Sequence, residues 1–120
     1  MTEARTHQRY DFLAMAVIKA ENGHKVNKSA LVENISKNGI CLHTYQPLKP
    51  DSNIILELIF KTRSGKKARA YVKGKVTRLT REDDVNILGI SFYEEIAADN
   101  HPVLYKYFNK GVVKMVIKIK

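Results

Sequence analysis

Asn34-Ile35-Ser36-Lys37-Asn38-Gly39 reads NxSxxG and runs directly into the apolar stretch Ile40-Cys41-Leu42. Upstream, Arg5-Thr6-His7-Gln8-Arg9 reads RxxxR. Taken alone, Asn38-Gly39 is an ordinary hairpin signal between two apolar runs, and two arginines near a terminus are ordinary solvated residues. Their order, separation and the strand-like sequence between them make the pair informative.

The chemistry of these residues is consistent with binding phosphate and guanine groups. Arginine carries a planar fork of donors that matches phosphate oxygens and equally the O6/N7 edge of guanine, and it stacks on flat π-systems. In an extended arm Arg5 and Arg9 fall on the same side, about 13 Å apart at roughly 3.3 Å per residue. Asn34 supplies both a donor and an acceptor, and Ser36 a hydroxyl able to bond a phosphate or its own backbone. Gly39 permits a positive φ or a close approach of backbone to ligand.

Outward from the motifs, the chain reads as strands punctuated by turns. Residues 12–20 form a dense apolar run, and Glu21-Asn22-Gly23-His24 supplies a turn. Residues 25–35 place Val26, Ala30 and Val32 against polar Lys25, Asn27 and Ser29, and residues 40–44 form a short third strand. Gln46-Pro47-Leu48-Lys49-Pro50-Asp51 is a loop, because its prolines cannot donate to a central ladder. Residues 53–62 alternate Ile54, Leu56, Leu58 and Phe60 on one face. After Ser64-Gly65, residues 67–79 put Ala68, Ala70, Val72 and Val76 on one face, with Arg69, Lys73 and Lys75 between them. Arg81-Glu82-Asp83-Asp84 turns the chain into a sixth strand over 85–93.

Short strands joined mainly by tight turns predict an antiparallel barrel or sandwich, and a barrel removes exposed edges. Near the C-terminus Asn100 suits a helix cap and Pro102 the first turn. Val103, Leu104, Tyr107 and Phe108 would form the apolar face, and Gly111 the stop. Residues 112–120 fit either a continued helix or an added strand; β-branched richness and Gly111 favour the strand.

The two motifs in this setting resemble the PilZ domain over roughly the whole chain. Gly74-Lys75-Val76 and Leu88-Gly89-Ile90-Ser91-Phe92 are similar to the later part of that family's pattern, a glycine-containing strand and a closing G-x-x-F. In this reading Gly74 and Gly89 are structural, marking bends or bulges of the kind that close a small barrel. The resemblance implies a mainly β fold: a six-stranded antiparallel PilZ-type β-barrel with a short C-terminal helix. Residues 1–11 would be a flexible arm carrying RxxxR, 12–111 the barrel and helix, and 112–120 a basic tail. The family binds the bacterial second messenger cyclic di-GMP, so the resemblance implies Arg5, Arg9, Asn34, Ser36 and Gly39 as its binding positions. Asn34 stands where many members carry Asp, and both occur within the motif.

Composition is consistent with a binding module. The 120 residues suffice for one domain with a genuine core, and no stretch approaches the roughly 20 apolar residues of a membrane span. The N-terminus lacks the apolar core of a signal peptide, which makes a cytoplasmic location the expectation. The lone Cys41 excludes an intrachain disulfide and reads as a small buried hydrophobe. A formal charge of +9 favours an anionic partner. Part of it is local, since the final twenty residues hold Lys106, Lys110, Lys114, Lys118 and Lys120 and no acid.

No enzyme motif is evident: there is neither a G-x-S-x-G elbow nor a P-loop. His7, His24, His43 and His101 are scattered, with no metal-ligand spacing to cysteine or carboxylate. These absences favour a non-enzymatic binding module, and the PilZ resemblance implies a receptor needing no cofactor, with cyclic di-GMP as ligand and an unidentified protein as partner. Two other classes remain: a nucleic-acid-binding small barrel with Tyr10, Tyr71 and Tyr93 as stacking platforms, and a PilZ-fold protein-interaction domain that does not bind the nucleotide. Members of the latter kind typically lack the arginines present here.

Overall fold

The computed structural model describes residues 15–61 and 65–109, with side chains through residue 106. Six antiparallel strands and one helix follow in chain order: β1 (Met15–Glu21), β2 (His24–Ser36), β3 (Gly39–Thr44), β4 (Asn53–Lys61), β5 (Lys67–Glu82), β6 (Val85–Phe92) and α1 (Pro102–Asn109). The strands close into a barrel in the order β1-β2-β3-β6-β5-β4, with β1 pairing β4 to complete the ring. Among the described residues, closure leaves no free sheet edge.

The period-two alternation of each strand decides which face is dry. Ile54, Leu56, Leu58 and Phe60 of β4 are buried, as are Val72 and Val76 of β5, with Ala68 and Ala70 packed against the same core. Ile18, Ile35, Ile40, Leu42 and Leu88 complete a core in which each fully buried aliphatic side chain stabilises by about 1.5–3 kcal/mol. The β1–β2 hairpin turns on Asn22 and Gly23, both at positive φ (53° and 85°), as a two-residue primed turn requires.

Three register shifts interrupt the alternation, between Ile18 and Ala20, Val32 and Asn34, and Val76 and Arg78. Lys19 is an extra residue against β4, Glu33 against β3 and Thr77 against β6, and each resets the side-chain phase and adds the bend a small barrel needs. Gly89 stands at the Thr77 bulge, pairing Arg78 beside it, whereas Gly74 lies in regular register with both neighbouring strands. Gly74 instead admits β6, since a Cβ there would lie 2.6 Å from the Ser91 carbonyl oxygen.

β5 is longer than the sequence predicts. It continues to Glu82, which pairs Val85, so the turn shrinks to Asp83-Asp84 with Asp83 at φ 55°. Ladder pairing with β6 carries the polar residues 80–82 that hydrophobic alternation does not mark as strand. At the C-terminal end, Asn100 does not cap α1. Its side chain accepts from the Ala97 N–H at 2.8 Å and donates to the Glu95 carbonyl at 2.9 Å. The first helical bond runs from Tyr105 N–H to the His101 carbonyl, which makes His101 the cap position. Leu104 is buried as expected, but Val103 is exposed and Tyr105 packs on the core in its place. The alternative strand or helix over 112–120, the arm 1–11 and the start of the first expected strand lie outside the described residues.

Candidate functional site

The NxSxxG residues occupy the end of β2, a two-residue turn and the start of β3. Pairing across the barrel extends them into two lateral rows on its outer surface. One row runs Asn34, Cys41, Gly89, Arg78 across β2, β3, β6 and β5. The next runs Ser36, Gly39, Ser91, Lys75 across the same strands. Adjacent strands lie about 4.8 Å apart, so each row spans roughly 14 Å. Neither row contains an acid, and both end in a cation.

Asn38, Gly39, Thr77, Arg78, Gly89 and Ser91 line an open polar concavity of about 400 Å³ on this surface. Its floor depends on glycine at two places. A Cβ on Gly39 would lie 2.8 Å from the Ile90 carbonyl oxygen, so only glycine lets β3 approach β6 this closely. A Cβ on Gly89 would lie 3.2 Å from Arg78 Cβ and 3.5 Å from Arg78 Nε, so its absence leaves the arginine side chain room to lie over β6. Thr77, the extra residue of the β5 bulge, donates its hydroxyl to the Gly89 carbonyl at 3.2 Å and holds this geometry.

Of the sequence-predicted site residues, the structure brings Asn34, Ser36 and Gly39 onto one face. Gly39 lines the concavity. Asn34 is half-buried. Ser36 is buried, and its hydroxyl donates to Asn38 Oδ1 at 3.0 Å with the Gly39 carbonyl at 3.4 Å, so it braces the turn. The turn is further fastened by Phe92 N–H to the Asn38 carbonyl at 3.0 Å and Ile96 N–H to the Lys37 carbonyl at 2.7 Å. Lys37 Nζ sits 5.1 Å from the Tyr105 ring centroid, a cation–π contact joining the motif to α1. Arg5 and Arg9 lie outside the described residues.

Sequence reasoning missed Arg78. Its place opposite Gly89 depends on the Thr77 bulge, which no local pattern announces. The only signal was an arginine in one strand and a glycine in the partner strand.

Two further groups stand apart from this concavity. Tyr71 and Tyr93, the candidate stacking platforms, are about half exposed (51% and 57%). Both are tied by their hydroxyls, Tyr71 to Glu57 Oε2 at 3.0 Å and Tyr93 to Asn53 Oδ1. The hydrogen bond to Glu57, together with that carboxylate's charge, pushes the Tyr71 phenol above its usual range. Glu57 is itself buried on the outer face and also faces Arg69 Nη1 at 3.4 Å. Tyr10 lies outside the described residues.

The second group corrects the sequence reading of the histidines. His43 does stand with ligand-type neighbours: Glu33, Cys41 and His43 offer donor atoms all within 4.8 Å of one another. Cys41 is buried, as expected for a small hydrophobe, yet its thiol donates to Glu33 Oε1 at 3.5 Å.

Comparison with known proteins agrees with the fold. A family model described as the PilZ domain matches residues 3–109. The inhibitor of motility MotI/DgrA of Bacillus subtilis superposes with a TM-score of 0.69 at 16% identity, over 94% of this chain and 53% of that one. This chain thus spans about half the length of MotI. The PilZ domain of YcgR from Escherichia coli, solved with c-di-GMP, superposes with a TM-score of 0.67 at 9% identity, over 93% of this chain and 96% of that one. No curated protein matches the sequence significantly. Among the described residues no helix is long and apolar enough to cross a membrane.

Proposed function

This chain belongs to the PilZ domain family, and from that premise we propose that it is a cyclic di-GMP receptor and adaptor, not an enzyme. The observation that carries the reading is one stretch of outer face on which the NxSxxG turn, the concavity at Gly39 and the Arg78 side chain over Gly89 come together. A dianionic ligand with two guanines suits such a face: backbone and small side chains allow close approach, and an arginine fork is at hand for phosphate or guanine. The PilZ domain of YcgR, solved with c-di-GMP, supports the same ligand class.

In this proposal Asn34 and Gly39 contact the ligand while Ser36 braces the turn and stays within reach of it. Arg5 and Arg9 complete the grip from the N-terminal arm. The arm, residues 1–11, is too polar to bury much surface by itself, so its ordering cost is poorly repaid without ligand. With ligand, the arginines fold it over the barrel and create a surface for a protein partner. The work of signalling then lies in the ordering step.

Isothermal titration calorimetry tests this directly. Cyclic di-GMP should bind saturably and GTP far more weakly. Arg5→Ala or Arg9→Ala should each weaken binding by at least about tenfold, because a charge-assisted hydrogen bond contributes about 1.5–3 kcal/mol. Lys114→Ala with Lys118→Ala should do much less, because long-range charge is screened over about 8 Å at physiological salt. No heat and no thermal stabilisation at high ligand concentration would overturn the receptor reading.

A further inference from the structure

Glu33 is the extra residue of the β2 bulge opposite β3. The bulge swings its carboxylate to the side chains that β3 presents on the same outer face, Cys41 and His43, which alternate outward around the inward Leu42. Glu33 Oε1 lies 2.5 Å from His43 Nε2 and 3.5 Å from Cys41 Sγ. A thiol, an imidazole and a carboxylate, each a metal-ligating group, thus converge from two adjacent strands.

We propose that Glu33, Cys41 and His43 form a binding site for a borderline divalent transition ion, with Zn²⁺ as the natural occupant. The donor set is mixed soft and hard, which suits Zn²⁺ and disfavours Mg²⁺ or Ca²⁺, whose sites are built from oxygen. Zinc bonds of about 2.0–2.3 Å in tetrahedral geometry hold their donors roughly 3.3–3.6 Å apart. The sulfur–carboxylate distance already meets that spacing. The imidazole–carboxylate pair must open by under about 1 Å, which side-chain rotation at two partly exposed residues supplies. The Glu33 and His43 side chains are 50% and 37% exposed, so a fourth position is open to water or an exogenous ligand. On binding, the Cys41 thiol releases its proton to solvent and the thiolate takes the metal, so affinity rises with pH.

The site is separate in chemistry from the nucleotide face, yet adjacent to it: Cys41 pairs Asn34 of the motif and Glu33 precedes it in sequence. Its test needs no nucleotide.

The test titrates the full chain, reduced and freed of metal by a chelator, with Co²⁺ followed by ultraviolet and visible absorption. The expected result is one equivalent bound, a thiolate-to-cobalt charge-transfer band, tetrahedral-type visible bands, and bleaching of both by Zn²⁺. Cys41→Ser should abolish the charge-transfer band. His43→Gln and Glu33→Gln, at partly exposed positions that leave the core intact, should each weaken binding by at least tenfold, the lower end of what losing even an outer-shell partner costs. His24→Gln and His101→Gln should change nothing. Absence of a charge-transfer band overturns the proposal, as does wild-type affinity in both the His43 and Glu33 variants with unaltered circular dichroism. Either result would leave the three side chains as a hydrogen-bonded cluster only.

Discussion

Replacing Arg78 by alanine tests whether the proposed ligand sits on this face without disturbing the fold. The residue is exposed and its partner position on β6 is a glycine, which offers no side chain to pack against, so little packing is lost. Surface substitutions of this kind change stability by about ±0.5 kcal/mol or less, and the melting temperature without ligand should stay within a few degrees of wild type. Binding should change far more. A guanidinium engaging phosphate or guanine makes charge-assisted hydrogen bonds of about 1.5–3 kcal/mol each, and about 1.4 kcal/mol is a factor of ten. Loss of one such bond lowers affinity about tenfold, and loss of a bidentate pair about a hundredfold or more. Calorimetry with cyclic di-GMP measures this. Arg78→Lys keeps the charge without the fork and should recover only part of the loss. Arg81→Ala removes a cation from the same strand near its far end, where Arg81 Nε donates to the Asp83 carbonyl at 3.4 Å, and should leave affinity near wild type. Wild-type affinity in Arg78→Ala, or equal losses in Arg78→Ala and Arg81→Ala, would refute the placement of ligand on this face.

Two other perturbations probe the scaffold around the site. Gly39→Ala puts a methyl 2.8 Å from the Ile90 carbonyl oxygen, so β3 and β6 must part by several tenths of an ångström. Overpacking of that kind costs about 1–3 kcal/mol, and the melting temperature should fall by several degrees or more; an unchanged value would mean the strands separate freely. His101 is held below its ordinary value near 6.5 by burial, with Glu94 acting weakly in the opposite sense. The unfolded chain therefore binds a proton at this histidine at higher pH than the folded one, so stability contributed here is present above about pH 6.5 and is lost as pH falls through the folded value. Urea titrations at pH 5 and pH 8 should show a smaller acid-side loss in His101→Asn than in wild type, and equal losses would remove His101 as the cause.

Much of this protein is written locally. Apolar residues at every second position, as in Ile54, Leu56, Leu58 and Phe60, can be dry together only on one face of a strand, so the pattern marks β4 without knowledge of its neighbours. Asn22-Gly23 marks its hairpin for the same kind of reason, since few residues tolerate positive φ at both central positions. The order of RxxxR and NxSxxG, with strand-like sequence between, was enough to indicate the family and three residues that share one outer face: Asn34, Ser36 and Gly39.

The tertiary structure alone decided what depends on register between strands distant in sequence. Closure of β1 on β4 is a matter of curvature accumulated over the whole sheet. The bulges at Lys19, Glu33 and Thr77 are single extra residues with no compositional mark, because what defines them is the partner strand. Yet each resets which side chains face outward. The Thr77 bulge sets Arg78 against Gly89, and the Glu33 bulge carries a carboxylate to Cys41 and His43, residues that seem unrelated along the chain. The helix cap moved from Asn100 to His101 for a similar reason: the Asn100 side chain was claimed by the Glu95–Ala97 turn. Alternation and turn chemistry act over a few residues and can be read from them, whereas a site assembled across four strands exists only once the pairing is set.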